Sequence, residues 1–131
     1  MRYVLDTHAA IWLAQDSPRL GRDARRALEK LSPADLAISD VTLSEFARLL
    51  RTPALQPLGE PLQIIEAFAI RFRLQSVTPW IADRAAAYDW DHRDPSDRHI
   101  LATAEFLGLP LVTKDATITR FASSSKIPVL W

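Results

Sequence analysis

Four acidic residues fall where the sequence passes from one element to the next: Asp6, Glu45, Asp97 and Asp115. Carboxylates gathered from such distant positions repel one another and take up protons unless a cation relieves them. Mg2+ or Mn2+ prefers oxygen donors of this kind and keeps several waters. A metal so held can activate a water and neutralise charge developing on a phosphodiester. Two metals about 4 Å apart can clamp both the attacking and the leaving oxygen. Phosphodiester hydrolysis is the chemistry that suits the set.

Each acid also has a plainer use. Asp6 can cap the helix that follows it. Thr42 and Glu45, three residues apart, have the spacing of a capping box. Asp94 followed by Pro95 reads as an N-cap with proline at the first helical position, a structural role. Asp97 can complete that cap and suits the positive end of the helix dipole, and Asp115 can cap the short helix after it. Thr7 and Thr113 flank two of the acids and can hydrogen-bond a carboxylate, a metal-bound water or a helix end. His8, His92 and His99 are not spaced as metal ligands and read as surface or packing residues. Arg48, Arg51, Arg93, Arg98 and Lys114 lie near the acids and can reach RNA phosphates, though each reads first as a solvated or ion-paired side chain. The four tryptophans read as core or interface residues.

The elements that must position these groups follow from pattern. Tyr3-Val4-Leu5 is a short run of strand formers ending at Asp6-Thr7, with helix over Ala9 to Ala14. Asp16-Ser17-Pro18 breaks that helix, and Ala24 to Leu31 is amphipathic. Leu36 to Ser39 reads as a buried strand, and a helix runs from Thr42 to about Arg51. Thr52 to Pro61 contains three prolines and a glycine and reads as loop. Helix is expected over Leu62 to Arg73, a short strand over Leu74 to Thr78, and helix again from Trp80 to Tyr88. Asp89 to Arg93 reads as an exposed loop. A helix opened by Asp94-Pro95-Ser96-Asp97 runs to Leu107 and is closed by Gly108 and Pro110. Leu111 to Thr113 is a strand, a short helix reaches Phe121, and Ile127 to Leu130 is a final strand. Strands alternating with helices imply an α/β fold, a three-layer sandwich with a mostly parallel central sheet flanked by helices. In such sheets ligands bind beyond the carboxyl ends of the strands, the edge where Asp6 and Asp115 fall. Helices that follow strands start at that edge too, which brings in Glu45 and Asp97.

Composition bounds the partners. The 131 residues, 48% apolar and 24% charged, suit one domain over 1–131 with a single core. Sixteen basic residues balance sixteen acidic ones, which excludes a strongly basic nucleic-acid-binding domain but not binding through a local patch or a metal. There is no cysteine, hence no disulfide framework or thiol chemistry. The apolar amino terminus is interrupted by Asp6 and His8, so neither a signal peptide nor a membrane span of about 20 residues is expected. The expected setting is soluble and cytoplasmic, with no membrane partner.

Read in order, these pieces resemble a known family, the PIN-domain ribonucleases, and within it the VapC-type toxins of bacterial type II toxin–antitoxin systems. The likeness is carried by Tyr3-Val4-Leu5-Asp6-Thr7-His8-Ala9, then Ile38-Ser39 and Ser44-Glu45-Phe46-Ala47-Arg48-Leu49. It continues through His92-Arg93-Asp94-Pro95-Ser96-Asp97-Arg98 with Ile100 to Ala104, and closes on Leu111-Val112-Thr113-Lys114-Asp115. The resemblance implies a PIN-like fold and an endoribonuclease in which Asp6, Glu45, Asp97 and Asp115 bind Mg2+ or Mn2+ and cleave RNA. The metal would sit chiefly on Asp6, Asp97 and Asp115, with Glu45 binding a second ion or orienting the attacking water. A homodimer and a cognate antitoxin that covers or disrupts the site are also implied. Ser96 stands where relatives commonly carry an aromatic and Asp40 where a small residue is usual; residues 52–73 carry little of the motif. The rival readings are a phosphatase or phospho-acceptor domain on a similar sheet, and a non-catalytic PIN-like binding module. A haloacid-dehalogenase-like phosphatase wants an acid at position 8, which is His8.

Overall fold

The structure, a computed structural model, describes residues 1–55 and 59–131. Among these residues five strands form one sheet: β1 (Tyr3–Leu5), β2 (Leu36–Ser39), β3 (Arg73–Gln75), β4 (Leu111–Val112) and β5 (Val129–Leu130), in the order β3-β2-β1-β4-β5. Every pairing is parallel, with Val4 opposite both Ala37 and Leu111, and Leu5 opposite Val112. The order reverses between β1 and β4. The chain builds outward from β1 to β3, then returns to lay β4 on the other side of β1.

Among the described residues seven α-helices cover the sheet: α1 (Thr7–Ala14), α2 (Arg22–Leu28), α3 (Val41–Leu49), α4 (Pro61–Ala69), α5 (Pro79–Ala87), α6 (Pro95–Leu107) and α7 (Ala116–Ser124). Successive strand side chains point to opposite faces, and this sorts the core in two. Leu5, Ile38 and Val112 pack with α1 to α4 through Ile11, Leu28, Phe46 and Phe68. Val4, Ala37 and Leu111 pack with α5 to α7 through Ile81, Ile100, Leu101 and Ile118. The central strands β1, β2 and β4 therefore send apolar side chains to both faces, as a parallel sheet between two helical layers requires. The three-layer α/β expectation holds.

Several boundaries differ from the sequence pattern for identifiable reasons. The helix expected over 62–73 stops at Ala69, and the strand expected over 74–78 is β3 at Arg73–Gln75. Phe68 and Phe72 are both buried, four residues apart, with ring centroids 5.1 Å apart. Their spacing extends the helical pattern across a turn. The Thr42–Glu45 capping box does not form. Helix α3 begins at Val41 straight after β2, Thr42 is buried inside it, and its hydroxyl meets Thr7 Oγ1 at 3.3 Å. Glu45 accordingly lies beyond the first turn rather than within it. The loop expected over 52–61 includes residues 56–58, which lie outside the described residues; Thr52 itself bonds the Leu49 carbonyl at 2.7 Å at the end of α3. Gly108 closes α6 in the left-handed conformation at φ 65°, as expected of a helix-ending glycine. Among the described residues no helix is long and apolar enough to cross a membrane.

Candidate active site

Asp6 is the first residue after β1 and the N-cap of α1, its Oδ1 accepting from the Ala9 amide at 2.8 Å. Its Oδ2 accepts from the Thr113 hydroxyl, which stands just past β4 on the neighbouring strand. Thr113 Oγ1 in turn accepts from the Asp115 amide at 3.1 Å. One buried hydroxyl thus joins the acids at the ends of two adjacent strands. Asp115 caps α7 through the Ile118 amide at 2.9 Å. Asp94 caps α6 through the Ser96 amide at 3.0 Å, and Asp97 sits in the first turn of that helix. The capping role read for Asp6, Asp94 and Asp115 is therefore real. It leaves each carboxylate with unused lone pairs, because an ionised carboxylate can accept about four hydrogen bonds.

Asp6, Glu45, Asp94, Asp97 and Asp115 line one cleft of about 420 Å³, with Thr7, His8, Trp12 and Lys114 among its other walls. The cleft opens at the carboxyl ends of β1 and β4, where the strand order reverses and ligands of open α/β sheets bind. Thr7 lines it from a buried position, and Thr113, also buried, reaches it through Asp6.

The electrostatics follow from the burial. Asp6 is 8% exposed, and burial pushes its carboxyl above the ordinary 3.8 although the Thr113 and Ala9 hydrogen bonds oppose this; the nearby Asp115 charge adds to the rise. Burial likewise raises Asp97 to about 6, against the hydrogen bond from His92, and the charges of Asp94 and Asp115 push the same way. Among the described residues, Glu45 has an ion-pair contact with Arg48 at 3.8 Å and Asp97 a hydrogen-bond contact with His92 at 2.7 Å, while Asp6 and Asp115 have no ion-pair partner. A hard divalent cation fits that set of carboxylate oxygens, since it would offset the mutual repulsion and burial that raise Asp6 and Asp97.

Two readings of basic residues are corrected. His92, read as a surface or packing residue, is in hydrogen-bond contact with Asp97, and its ring nitrogen lies within 4.8 Å of oxygens of both Asp94 and Asp97. Its spacing of five from Asp97 hid this, because a loop rather than a helix connects them. Arg98, read as a possible phosphate contact, turns its guanidinium to backbone carbonyls, described below. Lys114 remains exposed at the rim, 5.9 Å from the Trp12 ring centroid.

A parallel sheet with a carboxylate cleft at its reversal point defines a class, and comparison with known proteins gives the class its name. The family model for the PIN domain matches residues 3–123, and the chain belongs to that family. Ribonuclease VapC22 of Mycobacterium tuberculosis is 34% identical over 113 residues, covering 86% of this chain and 85% of that protein. A toxin–antitoxin complex from Klebsiella pneumoniae contains a chain 26% identical with a TM-score of 0.67, covering 98% of this chain and 96% of that one. VapBC-1 from nontypeable Haemophilus influenzae superposes with a TM-score of 0.73 over 99% of this chain and 97% of that one; at 19% identity the likeness is one of fold. The phosphatase and phospho-acceptor readings do not match this family.

Proposed function

We propose that this chain, as one PIN-like unit over 1–131, is a metal-dependent endoribonuclease that acts as the toxin of a toxin–antitoxin pair. The observation that carries the reading is the convergence of Asp6, Glu45, Asp97 and Asp115 on one cleft at the β1–β4 reversal. The relatedness to a ribonuclease over most of both chains supports RNA as the substrate class. A neighbour from a toxin–antitoxin complex supports a protein antitoxin as partner. A homodimer is proposed on the family resemblance alone.

In this reading Asp6, Asp97 and Asp115 hold the Mg2+ or Mn2+, and Glu45 binds a second ion or orients the attacking water. The bound ion would activate water and neutralise charge developing on the scissile phosphate. The protein's own part is positioning. Thr113 fixes the Asp6 carboxylate and the Asp115 backbone together, the Ala9 amide of α1 holds the other Asp6 oxygen, and the Thr7–Thr42 contact ties α1 to α3, the helix that carries Glu45. Lys114 at the rim is placed to meet an RNA phosphate.

The test is cleavage of an RNA substrate by the purified chain. Cleavage is expected with Mn2+ or Mg2+, is abolished by EDTA, and is lost in Asp6→Asn and Asp97→Asn proteins that remain folded by circular dichroism. Undiminished cleavage by both folded variants would sink the site assignment. Absence of cleavage by the wild type on every RNA offered, with metal bound, would favour the non-catalytic module.

A further inference from the structure

The loop between α5 and α6 is tied to α6 by one side chain. Arg98 Nε donates to the Ala85 carbonyl at 2.8 Å, Nη1 to those of Trp90 and His92 at 2.7 and 3.0 Å, and Nη2 to that of Tyr88 at 2.6 Å. The Ala85 carbonyl belongs to the last turn of α5, where a helix end leaves carbonyls without intrahelical partners, and the others belong to its C-cap Tyr88 and to the loop beyond. The rigid fork of a guanidinium can meet several acceptors at once, which an ammonium cannot match in fixed geometry. The loop so gripped carries His92. Its ring lies 4.8 Å from that of Trp90, which stacks on Phe121 of α7 at 4.6 Å and an interplanar angle of 8°. His92 is thus held through its backbone by Arg98, and its ring leans at 44° on the stacked Trp90.

The ring's Nε2 meets Asp97 Oδ2 at 2.7 Å. Asp97 occupies the third position of α6, from which a carboxylate commonly folds back onto the N-cap amide. Here it bonds His92 instead, and its carboxylate faces the cleft with Asp6 and Asp115. His92 is not among the residues that line the cleft; it stands behind Asp97.

We propose that His92, clamped by Arg98, is a positioning residue that orients the Asp97 carboxylate for metal binding. The inference rests on the proposed metal role of Asp97. Hydrogen bonds to ligating carboxylates set their orientation, and loss of such a partner typically weakens metal affinity by about 10- to 100-fold.

The experiment is calorimetric titration of Mn2+ into the full-length, metal-stripped protein without RNA, with folding checked by circular dichroism. Asp97→Asn tests the underlying reading: wild-type Mn2+ affinity in that variant would overturn both the Asp97 assignment and this inference. With Asp97→Asn defective, His92→Ala is expected to bind about 10-fold more weakly than wild type. His92→Gln, which keeps an N–H donor at similar reach but no imidazole nitrogen, is expected to recover most of that loss. Arg98→Lys is expected to weaken binding in the same direction, and adding it to His92→Ala should cost little more, since both act through one contact. Wild-type affinity in a folded His92→Ala protein would overturn the inference. So would a His92→Gln protein as weak as His92→Ala, which would make His92 a direct ligand.

Discussion

Replacing Asp97 with asparagine should stabilise the metal-free protein near neutral pH, although it removes a group proposed to be essential for activity. Burial, with the charges of Asp94 and Asp115, lifts the Asp97 carboxyl from 3.8 to about 6. A value raised in the folded state means that the native protein holds this proton more tightly than the unfolded chain does. The associated stabilisation is complete below about pH 4 and is lost as pH rises through about 6. A shift of roughly two units corresponds to about 3 kcal/mol. Asp97 is only half-buried, and screening by solvent brings the expectation down to about 1–2 kcal/mol. Asparagine has the shape of the protonated acid, can still accept from His92, and carries no charge at any pH. Thermal unfolding of EDTA-treated protein near pH 4.5 and pH 7.5 reads the difference directly. At the higher pH the variant should melt above the wild type by about 3–8 °C, and at the lower pH the two should nearly coincide. Mn2+ should raise the wild-type midpoint more at the higher pH and leave the variant almost unmoved. A variant less stable than the wild type by the same amount at both pH values would refute the argument.

Three further outcomes follow from named contacts. Thr113→Val keeps the buried shape but removes the donor to Asp6 and the acceptor for the Asp115 amide; it should cost about 1–3 kcal/mol in urea unfolding and lower Mn2+ affinity. Gly21→Ala would set a Cβ 2.7 Å from Trp131 Nε1 and 2.8 Å from its carbonyl carbon, and the backbone atom cannot swing away; a loss of about 1–3 kcal/mol is expected by the same unfolding measurement. Phe68→Ala opens the stack with Phe46, whose ring centroid lies 4.2 Å away. It should cost about 3–5 kcal/mol while leaving Mn2+ affinity in the surviving folded fraction unchanged, because the stack lies outside the carboxylate cleft.

The parts of the fold legible in sequence were those governed by neighbours along the chain. The turn from Leu5 into Asp6, the Asp94-Pro95 opening of α6 and its Gly108 ending are local signals, and each lies where the pattern put it. The α4–β3 boundary was obscured because Phe72 continues a helical spacing while packing into the core from a turn. Thr42 was misread as a cap because its partner is Thr7, 35 positions away, and no local pattern reports such a contact. The carboxylate cleft was legible as a common sheet edge, since strand ends and the helices after them fall on one side of a parallel sheet. What could not be read was the supporting set around it. The link from His92 to Asp97 and the grip of Arg98 on the preceding loop depend on the path of residues 88–94, which composition does not dictate.

The bond between Thr113 and Asp6 spans 107 positions, and that separation bears on how the molecule is made. During synthesis β1, β2 and β3 leave the ribosome first, while the place beside β1 waits for β4, which follows all three in sequence. Until that strand docks, Asp6 lacks its buried donor and the carboxylate cluster lacks Asp115. An interrupted translation product ending before β4 would carry Asp6, Glu45, Asp94 and Asp97 but neither Asp115 nor the Thr113 hydroxyl that ties it to Asp6. For a protein proposed to cut RNA, the topology defers assembly of the cutting site until β4 and the start of α7 have been made.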